Sequence, residues 1–208
     1  MRPIKFFATW STVFVVFSCL AQTINSNSGG RLELPSEHLT RLPSPSGRYA
    51  LVGINKRIDL SQECAKCFST SSKLWFEDNT SHARKLLLNV NSTAFAGWSP
   101  DGSAFYVEDH LGSNITEAYI FETATLKKVD IADRILAADS EAKHLNSGHA
   151  YFNSVRWQDN DNLLVRFNGH TDELPITCFD MEYLVSRSGM VKKLSGHTGP
   201  ADAAWCHS

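Results

Sequence analysis

A turn motif that returns three times constrains this chain more than any other feature. The first copy is Pro43-Ser44-Pro45-Ser46-Gly47 followed by Arg48-Tyr49-Ala50-Leu51-Val52. The second is Trp98-Ser99-Pro100-Asp101-Gly102 followed by Ser103-Ala104-Phe105-Tyr106-Val107. The third is Trp157-Gln158-Asp159-Asn160-Asp161-Asn162 followed by Leu163-Leu164-Val165. Pro45 and Pro100 are 55 residues apart, and Trp98 and Trp157 are 59 apart. Repeats of this period point to a stack of similar supersecondary units. Pro presets φ at a turn's first corner, Asp or Asn bonds back to nearby amides, and Gly supplies positive φ. The runs that follow are rich in Val, Tyr, Phe and Leu, which suit strands.

Each copy has a second half of strand, turn and strand. It reads Lys73-Leu74-Trp75-Phe76-Glu77 and then Arg84-Lys85-Leu86-Leu87. It returns as Ala118-Tyr119-Ile120-Phe121-Glu122 with Leu126-Lys127-Lys128-Val129, and as Glu182-Tyr183-Leu184-Val185 with Val191-Lys192-Lys193-Leu194. The basic pair on each last strand is expected to be a solvated guard against edge-to-edge pairing rather than a phosphate site. Between the second and third copies, Ile131, Ile135, Leu136, Ala142 and Leu145 fall at helical intervals between an Asp start and an Asn-Ser-Gly stop. They predict one helix near 131–145.

A strand ending in Trp-Ser-Pro-Asp-Gly, a second strand, then a Tyr-Ile-Phe strand and a turn into Lys-Lys resembles the blade repeat of TolB-type β-propellers. Residues 97–129 carry the resemblance best, and it covers about 130 residues in all. It implies an all-β fold of about three four-stranded antiparallel units, an open or partial propeller, with one helical insertion. Propellers typically close with four to eight blades. Three blades therefore imply an open stack, a ring completed by a second copy, or a different β arrangement. An open stack leaves strand edges and an apolar face for a protein partner or for self-association as a homodimer. Trp75, Trp98 and Trp157 recur within the copies and are expected to pack between blades. Trp205 lies outside them, as a cap or a binding residue.

The chain's ends differ from the repeats. Arg2 and Lys5 precede a largely apolar run from Phe6 to Leu20 that ends at Leu20-Ala21-Gln22. This has the form of a cleaved export signal and falls short of a bilayer span of roughly 20 residues. A lipoprotein signal with Cys19 as the modified residue is the less favoured variant. The expected division is a signal over 1–21, a linker over 22–30, the repeat domain over 31–196 and a tail over 197–208, in a periplasmic or secreted protein. Without residues 1–21 the chain keeps 18 Lys and Arg against 22 Asp and Glu, a net charge of −4. That balance offers no basic surface for nucleic acid.

Removal of the signal leaves Cys64, Cys67, Cys178 and Cys206. An even number in an exported chain points to disulfides. Of the three possible pairings the local one, Cys64–Cys67 with Cys178–Cys206, is preferred. Cys64-Ala65-Lys66-Cys67 lies between two strands of the first copy, a setting unlike the helix N-terminus that activates redox thiols. His170, Cys178, His197, Cys206 and His207 concentrate near the C-terminus, but their spacing matches no zinc module. Asp101 is a turn residue by its neighbours. Glu108-Asp109-His110 ends a strand with no assignable nucleophile beside it. The sequence contains no phosphate-cradling loop, no Gly-x-Ser-x-Gly and no His-Glu-x-x-His. No residue is assigned as catalytic, cofactor-binding or metal-ligating, and no cofactor is expected. The favoured function is an exported, non-catalytic binding or assembly module. The alternative is an exported hydrolase or metal-dependent enzyme with a loop-built site around Asp109, His110 and the C-terminal His and Cys residues.

Overall fold

The computed structural model describes residues 30–35, 41–59, 68–112, 115–201 and 203. These form three antiparallel sheets, in keeping with the all-β expectation. Strand β1 is Arg31–Leu34. The first sheet has the order β2 (Arg41–Pro43), β3 (Tyr49–Asp59), β4 (Phe68–Asp78) and β5 (Arg84–Val90). The middle sheet contains β6 (Thr93–Trp98), β7 (Ala104–His110), β8 (Thr116–Glu122) and β9 (Lys128–Asp130), and β1 pairs onto β6. After helices α1 (Ile131–Ala138) and α2 (Ser140–Leu145) comes the third sheet, β10 (His149–Trp157), β11 (Asn162–His170), β12 (Thr177–Ser186) and β13 (Val191–Pro200). Among the described residues no helix is long and apolar enough to cross a membrane.

Three details depart from the sequence expectation. The middle sheet has five strands, because Leu32 and Leu34 alternate with Arg31 and Glu33 and bury one face of β1. The helical insertion is two helices. Asp139 has extended backbone and its carboxylate accepts from the Glu141 and Ala142 amides, so it starts α2 just where its own N–H bonds to the Ile135 carbonyl and closes α1. The last strand runs to Pro200 rather than stopping at 196, with Thr177 opposite Pro200 and Cys178 opposite Gly199. Residues 1–29, which include the expected signal and most of the expected linker, lie outside the described residues.

Two of the three turns are built alike. The Gly47 amide bonds to the Ser44 carbonyl at 2.8 Å, and the Gly102 amide to the Ser99 carbonyl at 2.9 Å. Both glycines have φ of +70°. The Ser44 hydroxyl accepts from the Tyr49 amide at 3.1 Å, and the Ser99 hydroxyl from the Ala104 amide at 3.0 Å. In the third copy the Asp159 carboxylate replaces that hydroxyl, accepting from the Asp161 and Asn162 amides at 2.7 Å each.

The sheets stack face to face, and the middle one is buried on both sides. Strand side chains alternate between faces. Phe105 and Val107 on β7, with Tyr119 and Phe121 on β8, join Leu51, Leu74 and Phe76 of the first sheet. Ala104, Tyr106, Ala118 and Ile120 join Phe167, Phe179 and Met181 of the third sheet, where Ile131, Ile135, Ala142 and Leu145 of the helices fill the gap. Double burial explains why β7 and β8 read as continuous apolar runs. Phe105 stacks on Phe121 at 5.1 Å and on Phe76 at 5.8 Å, bridging the first two sheets.

Two tryptophans tie each sheet to the one before it. The Trp98 indole donates to the Leu42 carbonyl at 3.0 Å, and the Trp157 indole donates to the Gly97 carbonyl at 3.3 Å. Leu42 and Gly97 each stand two residues before the serine of their turn, so the two ties are equivalent. In the first copy Pro43 holds the tryptophan's place. Trp75 does not belong to this series. It pairs across strands with Val52 and Leu86, on the face of the first sheet turned away from the stack.

Candidate functional site

Cys19, Cys64, Cys67, Trp205, Cys206 and His207 lie outside the described residues. Cys178 is buried on β12 and is disulfide-bonded. Asp101 is a turn residue. Burial opposes its charge, but the Ser103 hydroxyl and amide and the Ser99 hydroxyl donate to it and together hold its carboxyl below the usual range. The basic pairs lie on or beside the outermost strands β5, β9 and β13, and one member of each, Arg84, Lys128 and Lys193, binds a group of its own fold. Lys193 reaches Glu141 at 2.8 Å and Asp139 at 3.0 Å, and the Lys128 ammonium sits 4.0 Å from the Tyr119 ring centre.

Glu108, Asp109 and His110 do not converge. Glu108 and His110 share the face of the middle sheet turned toward the third sheet, where they bond at 2.7 Å. Arg31 approaches Glu108 at 3.6 Å with its guanidinium 3.8 Å over the Phe95 ring. Asp109 points to the opposite face, with Glu117 as its cross-strand partner on β8. Burial, with the Glu117 charge adding to it and His110 opposing, pushes the Asp109 carboxyl up to about 6. Its Oδ1 is buried with no hydrogen-bond partner among the described residues. Tyr119 donates its hydroxyl to Glu117. The pairs are therefore Glu108–His110 and Asp109–Glu117, on opposite sides of one sheet, and Asp109 and His110 do not form one reacting group.

The two ends of the stack differ in chemistry. On the outward face of the first sheet, Val52, Trp75 and Leu86 form one row across three strands, with Ile54 beside it. Ile54 is 41% exposed and Leu86 37% exposed. Glu77 lies in the next row, held by Arg41 at 2.7 Å and by Arg84. The Arg41 hydrogen bond, against some burial and with help from Arg84, keeps the Glu77 carboxyl below its ordinary range. An aromatic with aliphatic neighbours and flanking arginines is the composition of a protein-binding patch.

The outward face of the third sheet is polar. Arg166 makes a two-pronged bond to Asp180, both contacts at 2.7 Å, and Asn153 bonds to Asn168 at 2.7 Å. With Glu182, Ser195 and His197, Arg166 and Asp180 line an open hollow of about 470 Å³. Farther along this face His149 and His170 are cross-strand partners with stacked rings, 4.5 Å apart and inclined by 24°. Asp172 reaches both: its Oδ1 is 2.9 Å from His149 Nδ1 and 3.7 Å from His170 Nδ1. His170 was prominent in the sequence, but for its nearness to Cys178 and His197. His149 and Asp172 carried no signal of their own, and only the register of the β10–β11 hairpin brings all three together.

The sequence matches no protein-family profile and no curated protein. Among solved structures it is similar to the acylaminoacyl peptidase of Pyrococcus horikoshii, at 12% identity and a TM-score of 0.43 over 74% of this chain and 24% of that one. The chain thus spans about a quarter of that protein's length.

Proposed function

We propose that this chain is an exported binding module without catalytic function, an open stack of TolB-like blades that docks a protein partner on the outward face of its first sheet. The row Val52, Trp75 and Leu86 carries the proposal, because it sets exposed Leu86 beside half-buried Trp75 over a buried Val52, with exposed Ile54 next to it on the same sheet face. The occupant is a different protein with an apolar face of its own. A ring closed by a second copy would press this row against the third sheet's outward face, and burying Arg166, Asp180 and Glu182 against hydrocarbon is costly. Pro43, in place of the tying tryptophan, also removes the donor that such a preceding blade would accept.

The test places a photo-crosslinking amino acid at Leu86, and separately at Lys192 on β13, in the source cell. The expected result is one discrete adduct of a second protein from Leu86, absent from Lys192 and lost when Trp75→Ala is added. Adducts of equal yield from both positions, or adducts only to a second copy of the chain, would overturn the proposal. Export is read from the same material, since N-terminal sequencing should begin at Gln22.

A further inference from the structure

We propose that His149, His170 and Asp172 form a binding site for a divalent first-row metal ion of the zinc type, on the polar outward face of the third sheet. Imidazole nitrogen and carboxylate oxygen are the donors such ions take, and two histidines with one carboxylate leave coordination positions open for water or a ligand. The ligand atoms of the three residues all lie within 4.8 Å of one another. An ion held at about 2.0–2.1 Å by each donor sets donor–donor separations of roughly 2.9–3.4 Å. The separations of 2.9 Å and 3.7 Å from Asp172 Oδ1 to the two Nδ1 atoms bracket that range, and the two histidine donors, within 4.8 Å of each other, draw together on an ion.

The backbone fixes each ligand. His149 and His170 are the terminal pair of the β10–β11 ladder, so their side chains leave the sheet side by side. Gly148 lets the Asp172 loop fold down against β10, because a Cβ there would lie 2.7 Å from both the Asp172 Cγ and its backbone nitrogen. The side chains are 33%, 42% and 53% exposed for His149, His170 and Asp172, which leaves an ion a path from solvent. His170 Nδ1 also lies 3.2 Å from the Thr171 carbonyl, so an ion taken up by that nitrogen replaces the Thr171 contact.

The test is calorimetric titration of the untagged protein with Zn²⁺, without reductant so that the Cys178 disulfide persists, repeated for H170N, D172N and H197N. The expected result is one ion per chain, with affinity lowered about tenfold or more in H170N and D172N and unchanged in H197N. Paramagnetic Co²⁺ should broaden the His149 and His170 ring resonances of the unaltered protein, a readout that does not depend on how a variant folds. The proposal fails if the unaltered protein takes up no stoichiometric Zn²⁺. It fails equally if H170N and D172N bind as well as the unaltered protein, or if Co²⁺ broadens His197 in preference to His149 and His170.

Discussion

At the scale of single residues, Asp109 shows what a strand end does to a carboxyl. It follows Val107 and Glu108 into the middle sheet, where both faces are covered, and has Glu117 as its neighbour. Its carboxyl rises from 3.8 to about 6, so the folded state holds the proton more tightly than the unfolded chain does. The neutral form's advantage is complete below about pH 4 and is lost as the pH rises through about 6. Asp109→Asn keeps the shape and cannot ionise. It should match the parent's stability at pH 4 and exceed it at pH 7.5. A shift of this size corresponds to at most about 3 kcal/mol, and solvent screening at the sheet end reduces the gain to about 1–2 kcal/mol. Urea unfolding at both pH values measures it, and a variant less stable at pH 7.5 would show that the charge is compensated. The Glu-Asp-His triplet was visible in the sequence. Alternation alone separates Asp109 from its two neighbours, but Glu117 as the partner needed the β7–β8 register.

At the scale of elements, the turns were the most legible feature, and two behave as copies. Gly47 and Gly102 share a φ of +70°, a conformation that costs other residues about 1 kcal/mol. Their surroundings differ. A Cβ on Gly47 meets open space, whereas one on Gly102 would lie 2.9 Å from Pro45 Cδ, because the second turn nests on the first. Gly47→Ala should therefore lose about 1 kcal/mol and Gly102→Ala about 2 kcal/mol, read as a larger fall in the urea midpoint for Gly102→Ala. Equal losses would mean that the two turns slide apart freely. Other elements were hidden for specific reasons. β1 is only four residues long, with just Leu32 and Leu34 to bury. The break at Asp139 sits inside an unbroken helical pattern. The histidine pair was hidden by a bulge. Counting back from Trp157 opposite Leu163 places His170 against Ala150, and the shift between Ser154 and Arg156 brings it to His149 instead.

At the scale of the whole molecule, burial is graded across the stack. Opening the middle sheet exposes the core it shares with the first sheet and the one it shares with the third. Displacing an outer sheet exposes only one of them. In a stacked array stability is close to a sum of units and interfaces, so the ends should open before the centre. The outermost strand of the third sheet adds to this, since β13 is exposed along most of its length. Native-state hydrogen exchange in rising, sub-denaturing urea should therefore find the amides of Phe105, Tyr106, Tyr119 and Ile120 exchanging only through global unfolding. The amides of β13 and of β5 should exchange through smaller openings with weaker urea dependence. Removing a tie sharpens the contrast. Trp157→Phe keeps an aromatic ring but deletes the bond to the Gly97 carbonyl, and should lower protection in the third sheet by about 1 kcal/mol while leaving the first sheet unchanged. A uniform fall across all three sheets would mean that the stack opens as one cooperative unit, with no weaker end at which it begins to come apart.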